Sequence, residues 1–204
     1  HFLVEFTGEM LEITLGPGML SKIYDGLQND LDQFESLFIQ RGQYSAALNS
    51  NIQWFFKPLA KAGDRVQASD WLGEVNENAV THRIMVPFKV DGQYTVKSIV
   101  PEGEYSVTDV VAVLVNSANK KIEVTMAQRW PIKRPIRSYA EKVRPFALLE
   151  TGVRVIDTLI PLAEGGTGFI PGPFGTGKTV LQHAIAKQAT ADVIIYAACG
   201  ERAN

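Results

Sequence analysis

The octapeptide GPFGTGKT, Gly172–Thr179, has the length and spacing of a phosphate-binding loop. Gly172, Gly175 and Gly177 let the backbone curl so that its N–H groups point inward at phosphate oxygens. Pro173, Phe174 and Thr176 fill the places between them, and Gly172 through Val180 is predicted to hold a nucleotide as one unit. Lys178 is a mobile point charge able to reach the β- and γ-phosphates, and Thr179 offers a hydroxyl to Mg²⁺. Thr179 and Val180 are expected to open a helix whose positive N-terminal end adds to the anion site.

The flanks agree with that reading. A short strand is predicted around Gly168 to Ile170, ahead of the loop. The helix after it is expected to bury Val180, Leu181, Ala184 and Ile185. ADVIIYAACGE, residues 191–201, is a continuous apolar run of the kind that forms a strand covered on both faces of a parallel sheet. A glycine-rich turn containing Lys-Thr by coincidence would need neither the spacing nor the order strand, loop, helix, strand. Upstream, TGVRVIDTLIPL (151–162) predicts a helix with Thr151 as its N-cap, apolar Val153, Ile156, Leu159 and Ile160 at helical spacing, and Pro161 at its end.

CGER, Cys199–Arg202, falls at the carboxyl end of the expected strand, the edge where open α/β sheets bind ligands. From there Glu201 can position and polarise an attacking water, while Arg202 holds phosphate charge or orients Glu201. Without the loop before it, Glu-Arg after a strand would more simply be a surface ion pair. Lys178, Glu201 and Arg202 are therefore the candidate catalytic residues. Cys199 needs no chemistry and reads as a small buried hydrophobe.

Composition narrows the remaining possibilities. The 204 residues are 46% apolar and carry a net charge of -2, so a real core is available and nothing global invites nucleic acid or an anionic membrane. A single cysteine excludes internal disulfides. HFLVEFTGEMLEI, at the start, is broken by Glu5, Glu9 and Glu12 and is not a signal peptide. Apolar runs such as VVAVLV are too short to span a bilayer.

Four stretches differ in texture. Residues 1–50 read as a connector with short elements: a strand at the start, a GPG turn at Gly16–Gly18, and helix-like LDQFESLFIQRG (31–42). Residues 51–126 alternate at period two between Gly-Asp and Asp-Gly turns and predict a β-rich barrel or sandwich without catalytic residues. His82 stands alone there and reads as a satisfied strand residue rather than a metal ligand. Residues 127–146 carry three prolines (Pro131, Pro135, Pro145) and six Lys or Arg against one Glu, which predicts an extended connector. Its charge suits a solvated face or a protein partner; no aromatic series accompanies it for stacking on nucleic acid. Residues 147–204 begin the nucleotide domain.

LETGVRVID (149–157), PLAEGG (161–166), IPGPFGTGKTV (170–180) and CGER together resemble the catalytic A subunit of the V-type and archaeal-type rotary ATPases, with one departure in the first motif. The resemblance extends upstream through LGPGMLSKIYDGLQNDLD (15–32), through the β-rich bulge from AGDRVQASDWLGEV (62–75) to DVVAVLV (109–115), and through QRWPIKRP (128–135). F-type β subunits and the Rho helicase share the loop and the Gly-Glu-Arg motif but not the bulge. The resemblance implies a RecA-like α/β P-loop domain, truncated here and preceded by the barrel or sandwich bulge. It also implies ATP or ADP as substrate with Mg²⁺, and ATP hydrolysis or synthesis coupled to H⁺ or Na⁺ transport. The implied partners are a noncatalytic B subunit in an alternating hexamer and central and peripheral stalk subunits. Nucleic acid is not among them, and the membrane is reached only through the complex, from its cytoplasmic side. Ala203 stands where the family usually has glycine, and the chain is expected to be the front part of a longer polypeptide. Two other expectations are a loop that binds phosphate without turnover and a Rho-like RNA translocase; the acidic balance and the bulge disfavour the second.

Overall fold

A computed structural model describes residues 6, 8, 10–36, 38–136, 141 and 143–200, and the chain divides into two units, His1–Tyr139 and Ala140–Asn204. In the first, strand β1 (Glu12–Leu15) lies far ahead of a dense run of strands: β2 (Gln53–Pro58), β3 (Arg65–Val66), β4 (Trp71–Glu77), β5 (Val80–Met85), β6 (Tyr94–Ile99), β7 (Gly103–Ser106), β8 (Val110–Val115), β9 (Lys121–Thr125) and β10 (Gln128–Pro131). Eight of them form two four-stranded antiparallel sheets, in the orders β5-β4-β2-β7 and β3-β6-β8-β9. The period-two alternation is the cause. In β6, Tyr94 and Val96 face inward while Thr95 and Lys97 face water.

Two clusters make the core of this unit. Val66, Leu72, Val86, Val96, Leu114 and Val124 belong to one, and Phe56, Val75, Ile84, Val111 and Met126 form the other. Each such side chain contributes roughly 1.5–3 kcal/mol relative to leaving it in water. Gly73 sits where the pairing of β4 with β5 slips out of register. A Cβ there would lie 2.3 Å from the Phe56 ring, so no other residue fits without moving that ring.

The GPG turn is tied down by a side chain from another element. Glu77, on β4, is 3% exposed. Its Oε1 accepts the N–H groups of Gly18 at 2.8 Å and Leu20 at 3.0 Å, and its Oε2 lies 3.1 Å from His82 Nδ1. His82 is thus a partnered strand residue, as the sequence suggests.

Two expectations in this unit need correction. LDQFESLFIQRG does not form a long helix: Leu31–Gln33 make one 3₁₀ turn, capped by Asp30, and Phe34 returns to extended geometry. Phe38 and Ile39 beyond it are exposed, so no apolar face is available to hold further helical turns. The proline-rich stretch, in turn, begins as ordered structure. Residues Gln128–Pro131 pair with Glu12–Leu15 in a two-stranded ladder where Pro131, at the strand end, costs little. Trp130 anchors it, packing edge-on against Phe88 at 5.3 Å and donating its indole N–H to the Arg134 carbonyl at 2.8 Å.

In the second unit, β11 (Leu148–Leu149) pairs antiparallel with β12 (Leu162–Ala163), and two helices follow their own logic: α1 (Arg154–Leu159) and α2 (Lys178–Gln188). Thr151 is fully buried but is not the N-cap of α1; Val153 holds that place without a side-chain bond. The capping comes from inside the helix. Asp157 accepts both the Thr151 hydroxyl at 2.7 Å and the Thr151 N–H at 3.0 Å, and its other oxygen accepts Gly152 N–H at 3.1 Å. Neither predicted strand of the nucleotide domain, 168–170 or 191–201, is paired among the described residues. A parallel strand exists only through its neighbours, and here Ile195 is 90% exposed.

Candidate nucleotide-binding site

Helix α2 organises the site. Gly177 is its N-cap, in the left-handed region at φ 84, and brings no side chain to the helix end. Gly175 is also left-handed, at φ 81, so two reversals in three residues turn the loop over the helix end. Gly172 is required for a different reason: a Cβ there would lie 2.5 Å from Thr176 Oγ1. Thr176 in turn donates to the Pro173 carbonyl at 2.8 Å, closing the loop on itself. The helix has no acidic residue in its first turn to compete for its positive end.

Lys178 has folded its ammonium back onto the loop. It donates to the Gly172 carbonyl, in a short contact, and to the Pro173 carbonyl at 3.3 Å. The charge therefore sits against the Gly172 and Pro173 carbonyls at the start of the loop. Thr179 follows at the second helical position and is half-buried. Phe174 projects fully into solvent, and Val180 is exposed as well. The loop residues Gly172 through Val180 are thus brought together as one structure.

The apolar face of α2 corresponds only partly to expectation. Leu181, Ala184 and Ile185 are half-buried, whereas Val180 is 72% exposed. One contact escaped the sequence reading: the rings of His183 and Tyr196 meet edge-on at 5.3 Å, tying α2 to the segment after it. No periodicity signals a pair between a helix and an unpaired apolar run. Cys199 is exposed rather than buried, as is the rest of 191–200. Glu201 and Arg202 lie outside the described residues. Among the described residues no group of three or more His, Cys, Asp or Glu side chains gathers as a metal site. No helix among them is long and apolar enough to cross a membrane.

A glycine loop closed over the N-terminus of a helix, with a lysine charge inside it, defines a P-loop nucleotide-binding protein, here carrying an antiparallel double sheet ahead of the loop. The family comparisons divide the chain the same way. Residues 45–133 match the ATP synthase alpha/beta subunit barrel-sandwich domain, and residues 152–204 match the nucleotide-binding domain of the ATP synthase alpha/beta family. The V-type ATP synthase alpha chain of Treponema denticola is 50% identical over 99% of this chain, which covers 35% of that relative. The V-type ATP synthase alpha chain 1 of Treponema pallidum is 49% identical over 98%, and the V-type ATP synthase alpha chain of Borreliella burgdorferi is 46% identical over 99%. The chain belongs to the ATP synthase alpha/beta family, on its V-type alpha branch, and spans about a third of the length of those relatives. The expected fold, a β-rich barrel-sandwich followed by the start of an α/β P-loop domain, is thereby established.

Proposed function

We propose that this chain is part of the catalytic subunit of a V/A-type rotary ATPase, in which Mg-ATP hydrolysis or synthesis drives, or is driven by, H⁺ or Na⁺ movement across a membrane. The observation that carries this reading is the loop at α2: Lys178 bonded to the Gly172 and Pro173 carbonyls, beside a helix end capped by Gly177, in a segment matched by the family's nucleotide-binding domain.

The roles divide by chemistry. The N–H groups of Gly172 to Val180 bind phosphate, and Lys178 exchanges its carbonyl partners for β- and γ-phosphate oxygens. Thr179 would hold Mg²⁺ through its hydroxyl, and the ion when bound would neutralise phosphate charge. Glu201 accepts a proton from the attacking water, and Arg202 steadies the charge that develops on the transferred group. Following the family, the partners are a noncatalytic B subunit, which alternates with this one in a hexamer, and the stalk subunits. The assembly would sit at the cytoplasmic side of the membrane, without nucleic acid. In the chain we assign 1–50 and 127–146 to connectors, 51–126 to the bulge and 147–204 to the beginning of the nucleotide domain.

The test uses the full-length protein in its assembled complex. Lys178→Ala should weaken nucleotide binding and abolish turnover. Glu201→Gln keeps the side chain's shape but not its basicity, so Mg-ATP binding should stay within a few-fold while turnover falls by roughly 10²–10⁴. Steady-state hydrolysis measured beside equilibrium binding separates the two roles. Near-normal turnover by Glu201→Gln would assign Glu201 to a surface ion pair and leave a site that binds nucleotide without this base.

A further inference from the structure

The outward face of the sheet β3-β6-β8-β9 carries positive charge. The pairing places Arg65 beside Thr95, Thr95 beside Val115, and Val115 beside Lys121, one row crossing all four strands. Their strand neighbours Val66, Tyr94, Val96 and Leu114 point the other way, into the core. Lys97 stands on the same face as Thr95, two residues along β6. Between these side chains and the turn after β8 lies an open depression of about 660 Å³, lined by Arg65, Lys97, Thr95, Gln93, Ser117 and Asn119 among others and by no carboxylate. Among the described residues, Arg65, Lys97 and Lys121 enter no ion pair. Glu123 is the one acidic side chain on the face, paired across from Val113. The patch is cationic on a chain whose net charge is -2.

We propose that this face docks an acidic segment of another polypeptide. Three separated cations with hydroxyls and amides between them match a run of carboxylates, which can take charge-assisted bonds from Arg65 and Lys97 and hydrogen bonds from Thr95, Ser117 and Asn119. Nucleic acid fits less well. The one aromatic residue lining the depression, Tyr94, is 5% exposed and offers no ring for a base to stack on. The patch lies in the first unit, so the proposal goes beyond the nucleotide reading and does not depend on it.

The full-length protein tests it, with fluorescence anisotropy of a labelled peptide of ten glutamates at low salt. The wild type should bind the peptide, more weakly as salt rises. Arg65→Glu with Lys97→Glu should raise Kd by about tenfold or more, and Arg65→Gln with Lys97→Gln by less. Unchanged circular dichroism certifies the fold; if the Glu pair fails to fold, the Gln pair is read by itself. No binding by the wild type, or equal Kd in the variants, would overturn the proposal. So would an oligonucleotide or inorganic tripolyphosphate that binds the same residues more tightly than the peptide does.

Discussion

Glu77 shows how much can rest on one side chain. Its carboxylate receives two backbone N–H groups from the Gly18–Leu20 turn and faces His82, all while 3% exposed. Glu77→Ala would leave those donors without an acceptor in a half-buried setting, at a cost of about 1–3 kcal/mol for each group so abandoned. Glu77→Gln keeps an acceptor oxygen and should cost less. Urea unfolding of the first unit measures the difference, and equal midpoints for the two variants would mean that the turn is held by something else. Gly73→Ala is a steric counterpart. A methyl 2.3 Å from the Phe56 ring must displace a fully buried side chain, and overpacking of this kind typically costs about 1–3 kcal/mol. The sequence shows Gly73 only as a glycine inside a strand; the need for it lies in a ring from β2, seventeen positions away.

At the scale of an element, helix α1 is the clearest case of a signal read correctly in kind and wrongly in detail. Thr151 before the apolar spacing suggests an N-cap; its hydroxyl instead accepts the N–H of Val153, the cap residue itself, at 3.2 Å and donates to Asp157 at 2.7 Å. Both residues are visible in TGVRVID; the direction of the bond between them is not. The hydroxyl and N–H of Thr151, with Gly152 N–H behind them, hold the Asp157 carboxyl below its ordinary value of 3.8. A group depressed in the folded state adds stability that is present above the unfolded value and is lost as pH falls through the folded one. Amide exchange at residues 151–159 should therefore quicken as pH drops below 3.8, after correction for the intrinsic rate. Asp157→Asn, which cannot lose a charge, should flatten that dependence. A wild type and an Asn variant with the same profile would remove Asp157 from the account. The strands of residues 53–125 are legible for the opposite reason: each is paired within the unit, so the alternation read in the sequence has a sheet to sit in. The partner is the sequence neighbour for β4 with β5 and β8 with β9, and a remote strand for β2 with β7 and β3 with β6. The run 191–201 looks more strand-like than any of them, yet its described residues, 191–200, pair with none of the other described residues, and apolar content alone cannot supply a partner.

Across the whole chain, burial is divided unequally. Both core clusters draw every member from residues 56–126, whereas in Ala140–Asn204 the buried side chains among the described residues are Thr151 and Ile156. Helix α2 buries none of its residues, and Leu159, Phe169 and Ile195 stand largely in water. Protection from amide exchange follows the free energy needed to open a segment, which comes from burial more than from helical propensity. In the 204-residue chain, then, the strands β4, β6 and β8 should exchange at rates near those of global unfolding of their own unit, while Lys178–Gln188 exchanges orders of magnitude faster. Excess ATP and Mg²⁺ should slow exchange in Gly172–Gln188 by the factor that binding dictates and leave the strands unchanged, since mass action stabilises only what the ligand holds. Mass-spectrometric exchange with and without nucleotide reads both at once. Equal protection of α2 and the strands without ligand would show that helix α2 is held by more than its half-buried Leu181, Ala184 and Ile185. Protection gained in β4, β6 and β8 but not in the loop would place the nucleotide in the wrong unit, and with it the reading of GPFGTGKT.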